Sequence, residues 1–69
     1  MWKDLPKTLK VKDKVGCPRY YKEHPEILEV MKTDGERVWL ATEAGGMLHG
    51  NFTQEQLFLY DYKLWEEKE

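Results

Sequence analysis

Two glycine turns, Asp34-Gly35 and Gly45-Gly46, divide the middle of this 69-residue chain into three short segments. Apolar and polar residues alternate along these segments, and a period of two places every second side chain on one face of a β-strand. Aspartate followed by glycine between such segments is a strong hairpin signal. The sequence therefore predicts two successive β-hairpins at the centre of an all-β fold.

The register of the first hairpin depends on the length of its loop. A two-residue loop would place Lys32 opposite Arg37, and like charges directly opposite each other are destabilising. A three-residue loop, Thr33-Asp34-Gly35 with its glycine in the left-handed conformation, gives complementary pairs instead. The expected pairs are Lys32 with Glu36, Val30 with Val38, and Leu28 with Leu40. This register places the four aliphatic residues in the core.

A three-residue loop at Ala44-Gly45-Gly46 would form the second hairpin and place Leu48 and Phe52 on the core face. The expected pairs are Thr42 with Leu48, Leu40 with Gly50, and Val38 with Phe52. The opposite, outer face then carries Trp, Met and Arg, the residue types enriched at the centres of protein interfaces. Its candidate binding residues are Trp39, Met31, Arg37, His49, Met47 and Asn51.

We expect the outer face around Trp39 to bind a protein partner, or a second copy of the chain, without catalysis. The alternative is that this face is structural, because a small barrel gains stability by hiding a large ring. One end of the chain would then cover it, through Trp2, Leu5, Pro6, Leu64 or Trp65.

The segments on either side of the hairpins are less regular. Residues 9–17 carry apolar side chains at odd positions, which predicts a first strand that faces the core through Leu9, Val11, Val15 and Cys17. Residues 17–26 contain two prolines and predict a loop.

Residues 53–56, Thr-Gln-Glu-Gln, match a capping box and predict a single helical turn. We expect a short closing strand at Leu57–Tyr60 and then a last turn or short helix from Asp61 to Trp65. The whole chain, 1–69, is predicted to be one domain, with an N-terminal arm at 1–8, a barrel at 9–60 and a C-terminal tail at 61–69.

A long loop after the first strand, two tight hairpins, a helical turn and a brief last strand follow one another over residues 9–60. This order resembles the SH3-like small barrels, such as Tudor and KOW modules. The resemblance implies a mainly β fold, a five-stranded barrel, and binding through the loop that follows strand one. Because this superfold carries many functions, the resemblance identifies no particular activity.

The segment Leu59-Tyr60-Asp61-Tyr62 is similar to the Leu-Tyr-Asp-Tyr piece of the signalling SH3 signature. In that family the motif lies near the start of the domain, ahead of an acidic loop and a tryptophan. Here it comes last, after Trp39, and the loop at 17–26 is not acidic. We therefore do not expect recognition of proline-rich peptides.

The net charge of −2 conceals an asymmetry along the chain. Residues 1–22 carry seven basic and two acidic side chains, for +5, whereas residues 23–69 carry four basic and eleven acidic ones, for −7. Aromatic rings among cations suit nucleic acid, because rings stack on bases and cations neutralise phosphates. The alternative function is therefore nucleic-acid binding through Lys10, Lys12, Lys14, Arg19, Tyr20, Tyr21 and Lys22. The sequence pI of about 5.7 argues against this alternative.

No catalytic or metal-binding motif is recognisable. His24 and His49 are the two imidazoles and Cys17 is the one thiol, and their spacing is not that of a zinc site. The predicted register turns His49 outward and Cys17 inward, which separates the thiol from the imidazole. Gly45-Gly46 lacks the lysine and the following helix of a phosphate-binding loop. We expect no enzymatic activity, no metal and no cofactor.

The localisation expected from the sequence is cytoplasmic. A single cysteine closes no disulfide within the chain, so nothing points to an oxidising compartment. No segment reaches the run of about 20 apolar residues that spans a membrane, and residues 1–6 contain no apolar stretch of a secretory signal. We expect no membrane partner.

Overall fold

The computed structural model describes residues 1–18, 26–42, 46 and 48–66. Six strands and one helix follow in the order β1 (Trp2–Lys3), β2 (Lys14–Gly16), β3 (Leu28–Thr33), β4 (Arg37–Thr42), β5 (Leu48–Thr53), α1 (Gln54–Leu59) and β6 (Lys63–Trp65). All described strand pairs are antiparallel and form one sheet with the order β1-β6-β2-β3-β4-β5. The predicted mainly β, small barrel-like fold is confirmed, with six strands rather than five.

The core lies on one face of this sheet. Its buried cluster consists of Leu9, Val15, Leu28, Val30, Val38, Leu40 and Leu57, with Leu5, Phe52, Tyr62 and Leu64 packed against it. The four aliphatic residues predicted for the first hairpin are all in this cluster, and Phe52 packs against it as predicted. The alternating pattern therefore identified these five core-facing residues correctly.

The predicted register of the first hairpin is wrong: along β4, the partner of Val30 is displaced by two residues from the predicted one and that of Lys32 by three. Val30 pairs with Leu40 and Lys32 with Trp39, and the register shifts at a bulge between Val30 and Lys32. The loop is Asp34-Gly35-Glu36, with Gly35 at a φ of 95°. Without the bulge, the register that pairs Lys32 with Trp39 would continue along β3 and turn Val30 and Leu28 away from the core.

A carboxylate positions this loop. Asp34 Oδ1 accepts hydrogen bonds from the backbone N–H groups of Arg37, at 2.7 Å, and Glu36, at 2.9 Å. These two bonds stabilise the ionised carboxylate and lower the pKa of Asp34 below its ordinary value of 3.8. The side chain thus takes over backbone donors at the turn, which moves the loop one residue beyond its predicted position.

The second hairpin keeps the predicted pairs of Leu40 with Gly50 and Val38 with Phe52, but not that of Thr42 with Leu48. Leu48 pairs with Ala41 instead, because the register shifts between Leu40 and Ala41. Gly50 has a φ of 125°, which glycine adopts at little steric cost. Leu48 is 64% exposed, so its predicted place in the core is wrong.

The strand predicted at residues 9–17 corresponds to β2, which is shorter than predicted and starts after a turn. Asp13 N–H donates to the Lys10 carbonyl at 3.0 Å, and Lys10 N–H donates to Asp13 Oδ2 at 2.8 Å. Lys12 within this turn has a positive φ of 79°. Val15 and Cys17 are buried as expected, but Val11 is exposed because the turn interrupts the alternation.

The capping box at the start of α1 is confirmed. Thr53 Oγ1 accepts the Gln56 N–H at 3.1 Å, and Gln56 Oε1 accepts the Thr53 N–H at 2.9 Å. The helix continues to Leu59, so the closing strand predicted at Leu57–Tyr60 is wrong, and Leu57 enters the core from the helix.

Asp61 ends the helix in the left-handed conformation, with a φ of 62°. The N–H of Asp61 donates to the Phe58 carbonyl and that of Tyr62 to the Leu57 carbonyl, which is the Schellman arrangement. The chain then reverses into β6, so the last turn or helix predicted from Asp61 to Trp65 is wrong. The sheet therefore extends beyond residues 9–60 at both ends.

Gly16→Ala is expected to destabilise the fold by about 1–3 kcal/mol, because the site has no room for a methyl group. A Cβ at Gly16 would lie 2.6 Å from Cη2 of Trp2 and 2.9 Å from the backbone oxygen of Glu26. Urea unfolding measures the change, with Val11→Ala as a control at an exposed apolar position. An unfolding midpoint equal to that of the wild type would contradict the packing of Trp2 over this glycine.

Thr53→Ala is expected to lower the free energy of unfolding by about 1 kcal/mol, because it leaves the Gln56 N–H without its capping oxygen. Thr53→Ser is the matched control, since it keeps the hydroxyl group and should retain most of the stability. Chemical denaturation of the three proteins provides the comparison. Equal losses in both variants would mean that the methyl group, not the cap, stabilises this end of the helix.

Candidate functional site

The outer face of β3, β4 and β5 brings polar side chains around one tryptophan. In the ladder Trp39 lies between Lys32 and Asn51. Lys32 Nζ lies 4.9 Å from the centroid of the Trp39 ring, within cation–π distance. Arg37 Nη1 donates a 3.0 Å hydrogen bond to Asn51 Oδ1. These contacts hold the ring's neighbours in place on the surface.

The bulge in β3 adds a thioether at the edge of this surface. Met31 is 52% exposed, at the position where the register shifts. We call Met31, Lys32, Arg37, Trp39 and Asn51 the Trp39 face. Met47, a sixth predicted member, lies outside the described residues. Lys32 was not predicted as a member, because the expected register paired it with Glu36.

His49 does not belong to the Trp39 face, and its prediction as an outward residue opposite Ala41 is wrong. The register shift beside Gly50 turns it toward the start of β3, where its Nδ1 lies 3.8 Å from Oε1 of Glu26. It lines a cleft of about 80 Å³ together with Cys17, Glu26, Leu28 and Tyr62. The predicted separation of His49 from Cys17 is therefore also wrong.

The Cys17 thiol already has a hydrogen-bond acceptor in this cleft. Cys17 is buried, and its Sγ donates to the backbone carbonyl of Tyr60 at 3.2 Å. This bond fastens the end of β2 to the residue after α1. Across the described residues, no group of three or more His, Cys, Asp or Glu side chains is arranged to hold a metal ion. His24 lies outside those residues.

Among the described residues, the side chains that the structural alternative expects over Trp39 have other packing partners or are exposed. The rings of Trp2 and Trp65 pack edge to face, with centroids 4.9 Å apart, on β1 and β6. Two strands, β2 and β3, separate β6 from β4. Leu5 and Leu64 pack against the core cluster, and Pro6 is exposed.

The alternative nucleic-acid residues are described only in part. Arg19, Tyr20, Tyr21 and Lys22 lie outside the described residues, whereas Lys10 and Lys12 lie in the exposed turn before β2. A cleft of about 290 Å³ is lined by Lys12, Asp13, Lys14, Leu64, Trp65 and Glu66. Lys3 Nζ lies 2.9 Å from Oε1 of Glu66 at the same end of the molecule. The cleft therefore combines an aromatic ring with cations, but also contains two carboxylates.

Three exposed apolar residues at the end of α1 were not predicted from the sequence. Phe58 is 72% exposed, Leu59 67% and Tyr60 54%. They were assigned to a closing strand, where alternate residues would have been buried. Beside Phe58 lies a cleft of about 260 Å³, which is lined by Asp4, Leu5, Phe58, Asp61, Tyr62 and Lys63.

Comparison of the chain with models of protein families, with curated proteins and with solved structures found no match. In the part of the chain that the structure describes, no helix is long and apolar enough to cross a membrane.

Proposed function

We propose that the chain is a non-catalytic interaction module that binds a protein partner through the Trp39 face. The observation that carries the proposal is the ordered group of a half-buried Trp39 ring, the Lys32 ammonium over it, and the Arg37–Asn51 hydrogen bond beside it. Tryptophan and arginine are the residues that most often dominate binding energy in protein interfaces. Side chains held in place before binding lose less conformational entropy when a partner docks.

The position of the chain ends supports this proposal. Trp2 and Trp65 pack on each other at the β1–β6 edge of the sheet, with two strands between β6 and β4, and Leu5 and Leu64 pack against the core. The rings of Trp2 and Trp65 are thus packed without contributions from the Trp39 face, which leaves that face available to a partner. The chain has a single cysteine, which closes no disulfide within it, and on this basis we propose that the protein is cytoplasmic.

Peptides selected from a random displayed library against the immobilised protein test the proposal, because selected binders converge on energetic hot spots. We expect amide chemical-shift changes at Lys32, Trp39 and Asn51 when a selected peptide is added. Trp39→Ala should weaken binding about tenfold or more while the amide spectrum stays dispersed. Val11→Ala, at an exposed apolar position outside this face, should bind like the wild type.

Two results would contradict the proposal. Shifts confined to other surfaces would place the binding site elsewhere. Loss of amide dispersion in Trp39→Ala would show that Trp39 is structural, and Arg37→Ala would then test the surface independently. Unchanged peptide affinity in a folded Arg37→Ala variant would exclude the Trp39 face as the site.

Nucleic-acid binding is a second candidate, favoured by the cleft that combines Trp65 with Lys12 and Lys14. A base could stack on the indole while an ammonium group contacts the phosphate. Asp13 and Glu66 line the same cleft and offset its positive charge, which is why this function ranks second.

A mixed single-stranded oligonucleotide tests the second candidate by amide NMR at low and then moderate salt. Binding should shift the signals of Lys12, Lys14 and Trp65 and weaken steeply as salt rises, because phosphate contacts release counterions. Lys12→Glu should reduce the affinity, whereas Lys32→Glu makes the same charge change on another surface and should not. Shifts that are absent, or that persist equally at both salt concentrations, would exclude this function.

A further inference from the structure

The strand β1 lies at one edge of the sheet and is held there by the backbone of β6. Trp2 lies opposite Trp65 in the ladder. The Met1 amino group donates to the Glu66 carbonyl and the Glu66 N–H donates to the Met1 carbonyl, both at 2.9 Å. A sheet edge offers unpaired backbone donors and acceptors that recognise another extended segment. In this protein residues 1–3 occupy the edge of β6.

The indole of Trp2 lies in a slot with Gly16 as its floor. A Cβ added to Gly16 would come within 2.6 Å of Cη2 of the Trp2 ring, so a side chain at position 16 would fill the slot. The ring of Trp65 packs against the same indole edge to face, with centroids 4.9 Å apart. The edge of β6 therefore accepts an extended segment with a flat ring at the position of Trp2.

Two ion pairs fix the register of this segment. Lys3 Nζ lies 2.9 Å from Oε1 of Glu66, and Lys63 Nζ lies 3.1 Å from Oδ1 of Asp4. The pairs have opposite polarity, because the segment contributes the cation to one and the carboxylate to the other. A slip of one residue would turn the side chains to the opposite face and lose both pairs. We call β6 together with Gly16 the acceptor edge, and its specific occupant is residues 1–4.

An exposed connection joins this occupant to the rest of the protein. Leu5 packs against the core cluster, and Leu9 is buried, with its N–H donating to Gln54 Oε1 at 2.7 Å. Residues 6–8 between these two leucines are all exposed. Rotation within this connection would carry the segment away from its own β6 while Leu9 stays in the core. Pro6 favours an extended conformation of Leu5, which suits a segment that reaches outward.

We propose that residues 1–5 of one copy occupy the acceptor edge of a second copy, while those of the second copy occupy the edge of the first. Such an exchanged dimer keeps every contact that the segment makes within one chain, so exchange costs little. The short connection favours the closed chain, because it holds the segment at an effective concentration of roughly millimolar. The exchanged dimer therefore forms when the protein is concentrated. It does not depend on the Trp39 face, because β2 and β3 lie between β6 and β4.

Reversal of the two ion pairs tests the exchange with chains of equal net charge. One variant carries Lys3→Glu and Asp4→Lys on the segment, and the other carries Lys63→Glu and Glu66→Lys on the acceptor edge. In each variant alone, like charges face each other at both pairs. In an exchanged dimer of the two variants, every pair joins opposite charges. The four side chains are at least 42% exposed, so both variants should fold.

Sedimentation velocity at low salt measures the association. We expect the equimolar mixture to form a two-chain species about tenfold or more tightly than either variant alone. Added salt should weaken this species, because exposed ion pairs are screened. A chain with Lys10→Glu and Glu36→Lys is the matched control, because it also keeps the net charge and changes exposed positions outside β1 and β6. It should associate like the wild type.

NMR of the wild type at roughly millimolar concentration identifies the contact itself. In a mixture of isotope-labelled and unlabelled chains, we expect nuclear Overhauser effects between the Trp2 ring of one copy and the Trp65 ring of the other. A dimer formed through any other surface would keep this ring contact within each chain.

Three results would overturn the exchange. A mixture of the charge-reversed variants that associates no more tightly than either variant alone would mean that the segment stays on its own chain. A dimer without the contact between Trp2 of one copy and Trp65 of the other would mean association through another surface. A wild type that stays monomeric at millimolar concentration would exclude exchange in the native chain. Peptide binding to the Trp39 face is measured separately, so failure of the exchange is distinguishable from failure of the proposed function.

Discussion

The fold depends on keeping alternate side chains of β3 and β4 on one side of the sheet. These two strands supply four of the seven residues in the buried cluster: Leu28, Val30, Val38 and Leu40. A slip of one residue would turn a whole strand over, and a chain of this size has little other core to compensate. The bulge between Val30 and Lys32 corrects such a slip, so it is part of what makes this sequence foldable.

The same irregularities in the ladder determine the composition of the candidate site. The bulge in β3 brings Lys32 opposite Trp39 and leaves Met31 exposed beside it. The shift next to Gly50 turns His49 away from that surface, toward Glu26 and Cys17. The Trp39 face therefore has cations and a thioether around its ring rather than an imidazole. Core packing and surface chemistry are thus consequences of the same two register shifts.

Features that depend on residues close together in the sequence, such as the helix cap and the core-facing residues of β4, were predicted correctly. The capping box needs only residues four positions apart, and the alternation that identifies Val38 and Leu40 as core residues lies within one strand. The register could not be predicted, because it depends on the Asp34 carboxylate accepting two backbone donors and on bulges with no sequence signature. The apolar run Leu57–Tyr60 suits a helix or a strand equally well, and its true assignment depends on Leu57 reaching the core and on Asp61 reversing the chain.

The two ends of the described chain meet. The Met1 amino group donates to the Glu66 carbonyl at 2.9 Å, and the Glu66 N–H donates back to the Met1 carbonyl, also at 2.9 Å. Domains with neighbouring termini tolerate insertion into a host loop, because the host chain can leave and return at nearly the same point. A fusion at either end would also depart from the β1–β6 side of the sheet, with β2 and β3 between it and β4. The hydrogen bonds between Met1 and Glu66 thus hold both ends of the described chain at one corner of the sheet, away from the strand that carries Trp39.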